Sequence, residues 1–356
     1  MVQLPRRNPL SFQLNVDKFG SASESEKQST NLMRPNSTFF MDGVKRLLKN
    51  PVAVVCLIFV IILILSIIII PFVYPYKYDE ILGYRYGDSL LGELNYLKPF
   101  QYAQVEKDAM AAGKFVFPHI LGTDDGNHDY FIRIIVGTRT SLIVGVIAAV
   151  IVLIIGGSIG ALCGFKGGKF DLVVMRIVDV IYALPDVLII ILLSVGLSAL
   201  IGDDNPFVQN IGGTALVAIF IVFALLYWVG MCRLVRGQVL SLRKSEFVMA
   251  AKATGASTKR IIIKHLIPNS MSVIIISAAL QVPSAIFTES FLSYLGLGVQ
   301  YPTPSLGSLA SKFQSEITGS RLYLFIIPAI MICLIVLSLN LLGDGLRDAF
   351  DPKLQK

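Results

Sequence analysis

The chain has 356 residues, 54% of them hydrophobic and 15% charged, with a formal net charge of +7 and a mean hydropathy of +0.69. A soluble domain carries about a quarter charged residues, whereas here the apolar residues are massed into uncharged runs rather than spread as a core requires. A soluble enzyme, a disordered scaffold and a secreted disulfide protein are excluded.

Residues 1–40 are aperiodic and rich in Ser, Asn and Glu, and they read as a disordered cytoplasmic tail. Residues 41–73 form a juxtamembrane segment and a first transmembrane helix. The uncharged run Pro51–Val73 is too long for a signal-peptide core, so it reads as a retained anchor. Residues 74–138 mix basic and acidic side chains and read as a small extracytoplasmic segment. A second uncharged run covers 140–165. A third covers about 174–201 and carries Arg176, Asp179 and Asp186. The fourth lies within 205–232, the fifth begins after Pro268, and the sixth covers 322–343. Each approaches the roughly 20 residues that cross about 30 Å of hydrocarbon. The expected fold class is an all-α integral membrane protein with six transmembrane helices. Five of them form a core at 139–344 that includes a loop at 236–268, and a short tail follows at 345–356.

Basic residues concentrate in alternate loops. Lys45, Arg46 and Lys49 precede the first span, and Lys166 and Lys169 separate the second from the third. Arg233, Arg236, Arg243, Lys244, Lys252, Lys259, Arg260 and Lys264 cluster between the fourth and fifth. This is a positive-inside signature with both termini cytoplasmic, in the plasma membrane, and not a nucleic-acid footprint. Cys56, Cys163, Cys232 and Cys333 lie within or at the ends of apolar runs, with no paired spacing, and read as packing residues.

No phosphate-binding loop is present; residues 164–170 lack both its glycine spacing and its hydroxyl residue. No nucleophile elbow, zinc motif or dinucleotide fingerprint occurs either, so no catalytic residue, metal or cofactor is assigned to this chain. The stretch from Asp125 to Asp129 imitates the start of a calcium loop. It fails where Tyr130 replaces the turn glycine and where Val136 replaces the bidentate glutamate. The informative segment is 245–269. Ser245 is placed to cap a helix of about nine residues that Gly255 stops, and Ser257 to cap a second helix ending before Pro268. Ala250, Ala251 and Ala253 give the first helix a low-relief surface open to close approach. Physics alone leaves two readings open: a docking surface, or an amphipathic loop lying on the membrane.

That segment resembles the EAA loop of ABC importer permeases. Ala250, Ala251, Gly255 and Pro268 keep its spacing, while Met249, His265 and Ile267 replace its glutamate, isoleucine and leucine. A narrower version belongs to the C-type permease subunits of oligopeptide and dipeptide importers. Phe247, Val248, Ala250, Ala251, Gly255, Ser257, Arg260, Ile261, Ile262, His265, Pro268 and Asn269 all match it. Residues 121–126 with Asp129 and 137–142 resemble the same family's outer signature, with His128 standing where arginine is usual. Residues 45–50, 176–185 and 289–298 are similar to further family motifs, so the resemblance spans about 40–352.

The resemblance implies a type I importer fold and an import pathway powered elsewhere. Its partners would be a paralogous permease subunit, two cytoplasmic ATPases that use ATP and magnesium, an extracytoplasmic peptide-binding protein, membrane lipid and the peptide itself. Glu246, Phe247, Ala250, Ala251, Gly255, Ser257, Arg260, His265 and Pro268 would form the ATPase-coupling loop. Asp124 and Asp129 fall where the binding protein or an outer gate would be met; Glu289, about 20 residues after Pro268 and so roughly 30 Å along that helix, falls near the outer surface, as such a contact or as a charge that reaches water. Asp179 and Asp186 are seven residues apart and share a face of a regular helix. So deep a carboxylate should face protein or water, as a lining of the translocation path or as a paired structural charge. The runner-up readings are the same machinery carrying nickel, glutathione or another small solute, and a proton-coupled secondary transporter.

Overall fold

The computed structural model describes residues 39–85, 94–201, 213–299 and 303–350. Most of the expected tail at 1–40 and the end of that at 345–356 therefore lie outside the described residues. Among the described residues the structure is helical, with one isolated bridge between Thr123 and Asp129.

Helix α1 (Phe39–Leu47) leads into α2 (Pro51–Val73). Asn50 starts α2 by accepting hydrogen bonds from the backbone N–H of Val52 and Ala53 at 3.1 and 3.3 Å, and Pro51 supplies a first position that needs no donor. Helix α2 is apolar all round, and Val55, Ile62 and Ile69 are exposed, as a lipid-facing helix requires. After it the chain makes a short 3₁₀ turn (Leu82–Arg85) and α3 (Gln104–Ala111). Tyr76, Leu82, Leu94, Leu97 and Ala103 pack beneath them into a small core of their own.

Helix α4 (Tyr130–Lys166) begins well before the uncharged run at 140 and includes Arg133 and Arg139. The early start is set by Asp129, whose carboxylate accepts from the Ile132 N–H at 3.1 Å. Helices α5 (Gly168–Tyr182) and α6 (Asp186–Ile201) replace the single third span expected over 174–201, meeting at an angle of 79°. Pro185 lacks the N–H that a continuous helix needs there and drives the preceding residue out of helical geometry. Asp179 and Asp186 therefore do not share a helix face.

Helix α7 (Thr214–Leu242) carries a π-turn at Phe223–Tyr227, and α8 (Glu246–Ala253) follows it. Helix α9 (Thr258–Tyr294) does not end before Pro268. A π-turn at Ile262–Leu266 shifts the pairing so that the Ile267 N–H bonds to the Ile262 carbonyl, and the helix passes through the proline into the membrane span. Helices α10 (Leu306–Lys312) and α11 (Leu322–Phe350) complete the fold. By length and composition α2, α4, α7, α9 and α11 each suffice to cross a membrane, and the broken pair α5–α6 makes a sixth span.

The tightest seam joins α4 to α7. Gly156, Gly160 and Gly164 form a stripe with the period of one helix face. A methyl group on Gly156 would sit 2.5 Å from the Trp228 carbonyl oxygen, and one on Gly164 would sit 2.8 Å from that of Arg236. On Gly160 it would collide with the Cys232 carbonyl. Without a hydrophobic drive between helices in lipid, such backbone approach supplies the packing. Helix α9 packs on α4 about three turns nearer its start, where Gly145 makes room for Ile286.

Candidate functional site

The first candidate is the corner formed by α8 and the start of α9. Val248 is fully buried and joins Ile261, Ile262 and Leu266 in the main apolar core, with Ala251 packed beside them. The remaining face of α8 stands free: Glu246, Phe247, Met249, Ala250 and Lys252 are exposed. Gly255 makes the corner at φ +78°, a left-handed conformation in which its missing Cβ avoids strain rather than a clash. The Ala256 N–H closes back on the Ala251 carbonyl at 3.0 Å, and the Thr254 hydroxyl donates to the same carbonyl at 3.0 Å. Ser257 accepts from the Arg260 N–H at 3.4 Å and so starts α9. Ser245 occupies the cap position of α8, but its hydroxyl donates to the Leu242 carbonyl at 2.6 Å and closes α7 instead. His265 lies in the π-turn, where its carbonyl accepts from the Asn269 side chain at 2.6 Å. Pro268 is exposed one turn further on.

The second candidate is the break between α5 and α6. Asp179 is exposed and pairs with Arg233 at 2.8 Å, and the Arg233 guanidinium lies 4.7 Å from the Tyr182 ring centre. Asp186 is half-buried; it accepts from its neighbour's N–H at 2.8 Å and from the Tyr227 hydroxyl at 2.6 Å. Asp186 and Tyr227 flank a cleft of ≈ 310 Å³ walled by Ile181, Leu184, Leu226 and Val229. Asp171 takes a bidentate pair from Arg236 at 2.5 and 2.6 Å. The α5/α6–α7 seam is therefore stitched by these three links and by the Ser198–Thr214 hydroxyl pair at 2.8 Å, whereas the α4–α7 seam is closed by glycines.

The third group lies at the other end of the bundle, and none of its three expected contact residues is exposed. Asp124, Asp129 and Glu289 are fully buried. Burial alone would raise the Asp124 pKa, but a hydrogen bond from His128 at 3.1 Å and the charges of Arg133 and Lys312 hold it well below the usual carboxylate range. Asp129 accepts from the Tyr74 hydroxyl at 3.1 Å and from His119 Nδ1 at 2.8 Å, while His119 Nε2 reaches Glu106 at 2.9 Å. Burial alone would depress the His119 imidazolium; the two flanking carboxylates outweigh it and push its pKa up to about 9. Glu289 accepts from the Ser141 and Ser293 hydroxyls at 2.8 and 2.7 Å. Asp124 and Asp129 fasten residues of 94–129 to the start of α4, and Glu289 reaches the backbone at 299 and 306 through its serines. No group of three metal-ligating side chains converges among the described residues.

Sequence reasoning missed His119, Glu106, Tyr227 and the Asp171–Arg236 pair. The glycine stripe was visible as a four-residue repeat inside an apolar run. The polar pairs link positions far apart in the chain and leave no local signal.

Comparison with known proteins agrees with this architecture. Residues 156–356 match the family model of the binding-protein-dependent transport system inner membrane component, and residues 38–99 match the N-terminal TM domain of oligopeptide transport permease C. The oligopeptide transport system permease protein OppC of Bacillus subtilis is 38% identical over 96% of this chain and 99% of its own length. The dipeptide transport system permease protein DppC of the same organism is 37% identical over 100% of this chain and 99% of its own. OppC of Escherichia coli K12 is 34% identical over 92% and 96%. Among solved structures, a chain of the inward-facing MetNI methionine ABC transporter aligns at a TM-score of 0.45 and 17% identity, over 60% of this chain and 94% of that one. The chain is a multi-pass membrane protein that belongs to the family of binding-protein-dependent transport system inner membrane components, among the OppC- and DppC-type permeases.

Proposed function

We propose that this chain is one of two permease subunits of an ATP-driven importer of oligopeptides or dipeptides. The paralogous second subunit completes the translocation path. Two ATPases dock at the α8 corner, and a peptide-loaded binding protein docks at the opposite, extracytoplasmic end. Both termini then lie on the cytoplasmic side, with the ATPases, in the type I importer arrangement. Relatives named as oligopeptide and dipeptide permeases support the peptide as cargo.

The observation that carries the reading is the exposure of α8. A helix of eight residues held to the bundle by Val248 and Ala251, with Phe247 and Met249 turned outward, is a surface made to be covered. Its corner is rigid, because Gly255 and the Ala256–Ala251 bond fix its angle, and α9 continues from it without interruption. A push on α8 therefore moves α9. Closure of the ATPases would favour one conformation through differential contact with this corner. At the break, Asp186 and Tyr227 line the path, and the Asp179–Arg233 pair serves as a structural link below it.

The test is affinity purification from native membranes in mild detergent, followed by identification of the retained chains. Two ATPases and a second permease are expected with the wild type. Gly255→Asp should insert normally yet uncouple ATP hydrolysis from uptake. Normal uptake by that variant would remove α8 as the coupling element.

A further inference from the structure

Glu289 is a fully buried carboxylate within a membrane-spanning helix, and its surroundings are unlike those of the other buried acids. Among the described residues no lysine, arginine or histidine pairs with it. Its partners are hydroxyls: Ser141 of α4 at 2.8 Å, and Ser293 and Ser290 of its own helix at 2.7 and 3.3 Å. Two of these serines relay the connection onward. Ser293 Oγ accepts from the Val299 N–H at 3.2 Å, and Ser141 Oγ accepts from the Leu306 N–H at 3.4 Å.

One carboxylate thus gathers donors from α4 and from α9, and through them holds the backbone at 299 and 306. Glycines remove any slack. A methyl on Gly137 would meet the Ser305 backbone at 3.2 Å, and one on Gly298 or Gly307 would collide with Ser293 or Ser290. An isolated acid in hydrocarbon is costly; a residue of similar volume without charge would fill the same space. What the carboxylate adds is the capacity to accept several hydrogen bonds at once from two separate helices.

The position of Glu289 along α9 gives this joint its meaning. Helix α9 runs unbroken from Thr258, at the α8 corner, to Tyr294. At 1.5 Å per residue that is a rod of roughly 55 Å, gripped at one end by the Gly255 corner and at the other by the serine-bound carboxylate. We propose that Glu289 is a positioning residue that makes the backbone at 295–299 and 303–306 move as one body with α9, so that the state of the extracytoplasmic face is passed to the α8 corner and back. By reciprocity, a binding protein that prefers one loop position then shifts the ATPases by the same coupling energy. This rests on the functional reading above.

The test uses the intact complex of this chain with its partners in lipid nanodiscs, with ATP hydrolysis measured with and without the binding protein loaded with a tryptic peptide pool. The wild type should show stimulation; if it does not, the importer reading fails before the joint is examined. In Glu289→Leu complexes of unchanged subunit stoichiometry, the ratio of stimulated to basal hydrolysis should fall toward one. Glu289→Gln, which keeps the shape and can still accept from Ser141 or Ser293, should recover at least half of the stimulation. A wild-type ratio in Glu289→Leu overturns the proposal. If that variant does not assemble, the paired change Ser141→Ala with Ser293→Ala decides: a ratio more than threefold lower supports the joint, and an unchanged ratio overturns it.

Discussion

At the 74–129 end of the molecule the functional-looking carboxylates are buried and paired, while at the α8 end nearly every side chain is exposed. Asp124, Asp129, Glu106 and His119 have no exposed surface, yet Phe247 and Met249 are 39% and 54% exposed. The first region is finished within this chain. Its charges have found partners, because an unpaired charge in a low-dielectric interior costs several kcal/mol. The second is unfinished, since its apolar side chains remain in contact with whatever lies outside. The contrast separates a region fastened within the chain from one that turns apolar side chains outward.

The largest effect should come from breaking the finished end. Asp124 accepts from the Gly126 and His128 N–H groups at 2.9 Å each and from Arg133 at 3.1 Å. Asp124→Ala leaves the Arg133 cation buried without its counter-ion, a change of about 3–5 kcal/mol. Limited proteolysis of the 94–129 region in nanodiscs should then show rapid cleavage, while α8 keeps its pattern. Equal protection in variant and wild type would show that the ion cluster does not hold the segment.

Next in size is the titration of His119. Its pKa rises from the ordinary 6.5 to about 9 on folding, so the stabilisation is fully present below pH 6.5 and is lost as pH rises through 9. A shift of that size corresponds to about 3 kcal/mol. The groups that face the ring are Asp129 at the start of α4, Glu106 on α3 and Tyr76, whose ring centre is 4.7 Å away. Hydrogen exchange in the 94–129 region should accelerate between pH 7 and pH 10 beyond the intrinsic base catalysis, and His119→Gln should abolish that excess. An excess that survives in the variant assigns the titration to another group.

Legibility in the sequence followed the same division. The run Pro51–Val73 is a helix with those bounds because uncharged apolar residues between Asn50 and Tyr74 leave no alternative in lipid. The α8 corner was legible because its devices are local: Gly255, Ser257 and the alanines lie within a few residues of one another. Helix rise alone puts Glu289 at an outer contact, whereas its burial depends on Ser141, remote in sequence. The third span was misread because hydropathy averages over Pro185 and sees no bend. Pro268 was taken as a helix end, but the π-turn before it absorbs the missing donor, and nothing in the residue types of 262–266 announces that turn.

At the unfinished end the expected changes in fold are smaller. No atom lies within 4 Å of a Cβ built on Gly255, so substitution there meets strain and not collision. A residue other than Gly, Asn or Asp in the left-handed region costs roughly 1–2 kcal/mol. Gly255→Asn should therefore retain most uptake, and Gly255→Asp, which can adopt the same backbone angle, should lose it through the charge it adds. Equal loss in both would shift the cause from charge to the bulk of any side chain at the corner.

The smallest effect on the fold belongs to the exposed face of α8, and there the comparison is sharpest. Phe247→Ala combined with Met249→Ala removes no core contact, so the stability of the chain should change by less than about 0.5 kcal/mol. If those side chains fill a groove on an ATPase, their loss removes an anchor of the kind worth more than 1 kcal/mol each. Uptake at equal membrane abundance should then fall by about tenfold. Asp124→Ala acts in the opposite sense, harming the fold first and function only as a consequence. A double variant at α8 that loosens the bundle, or that leaves uptake intact, would mean the exposed face is held by lipid rather than by a partner.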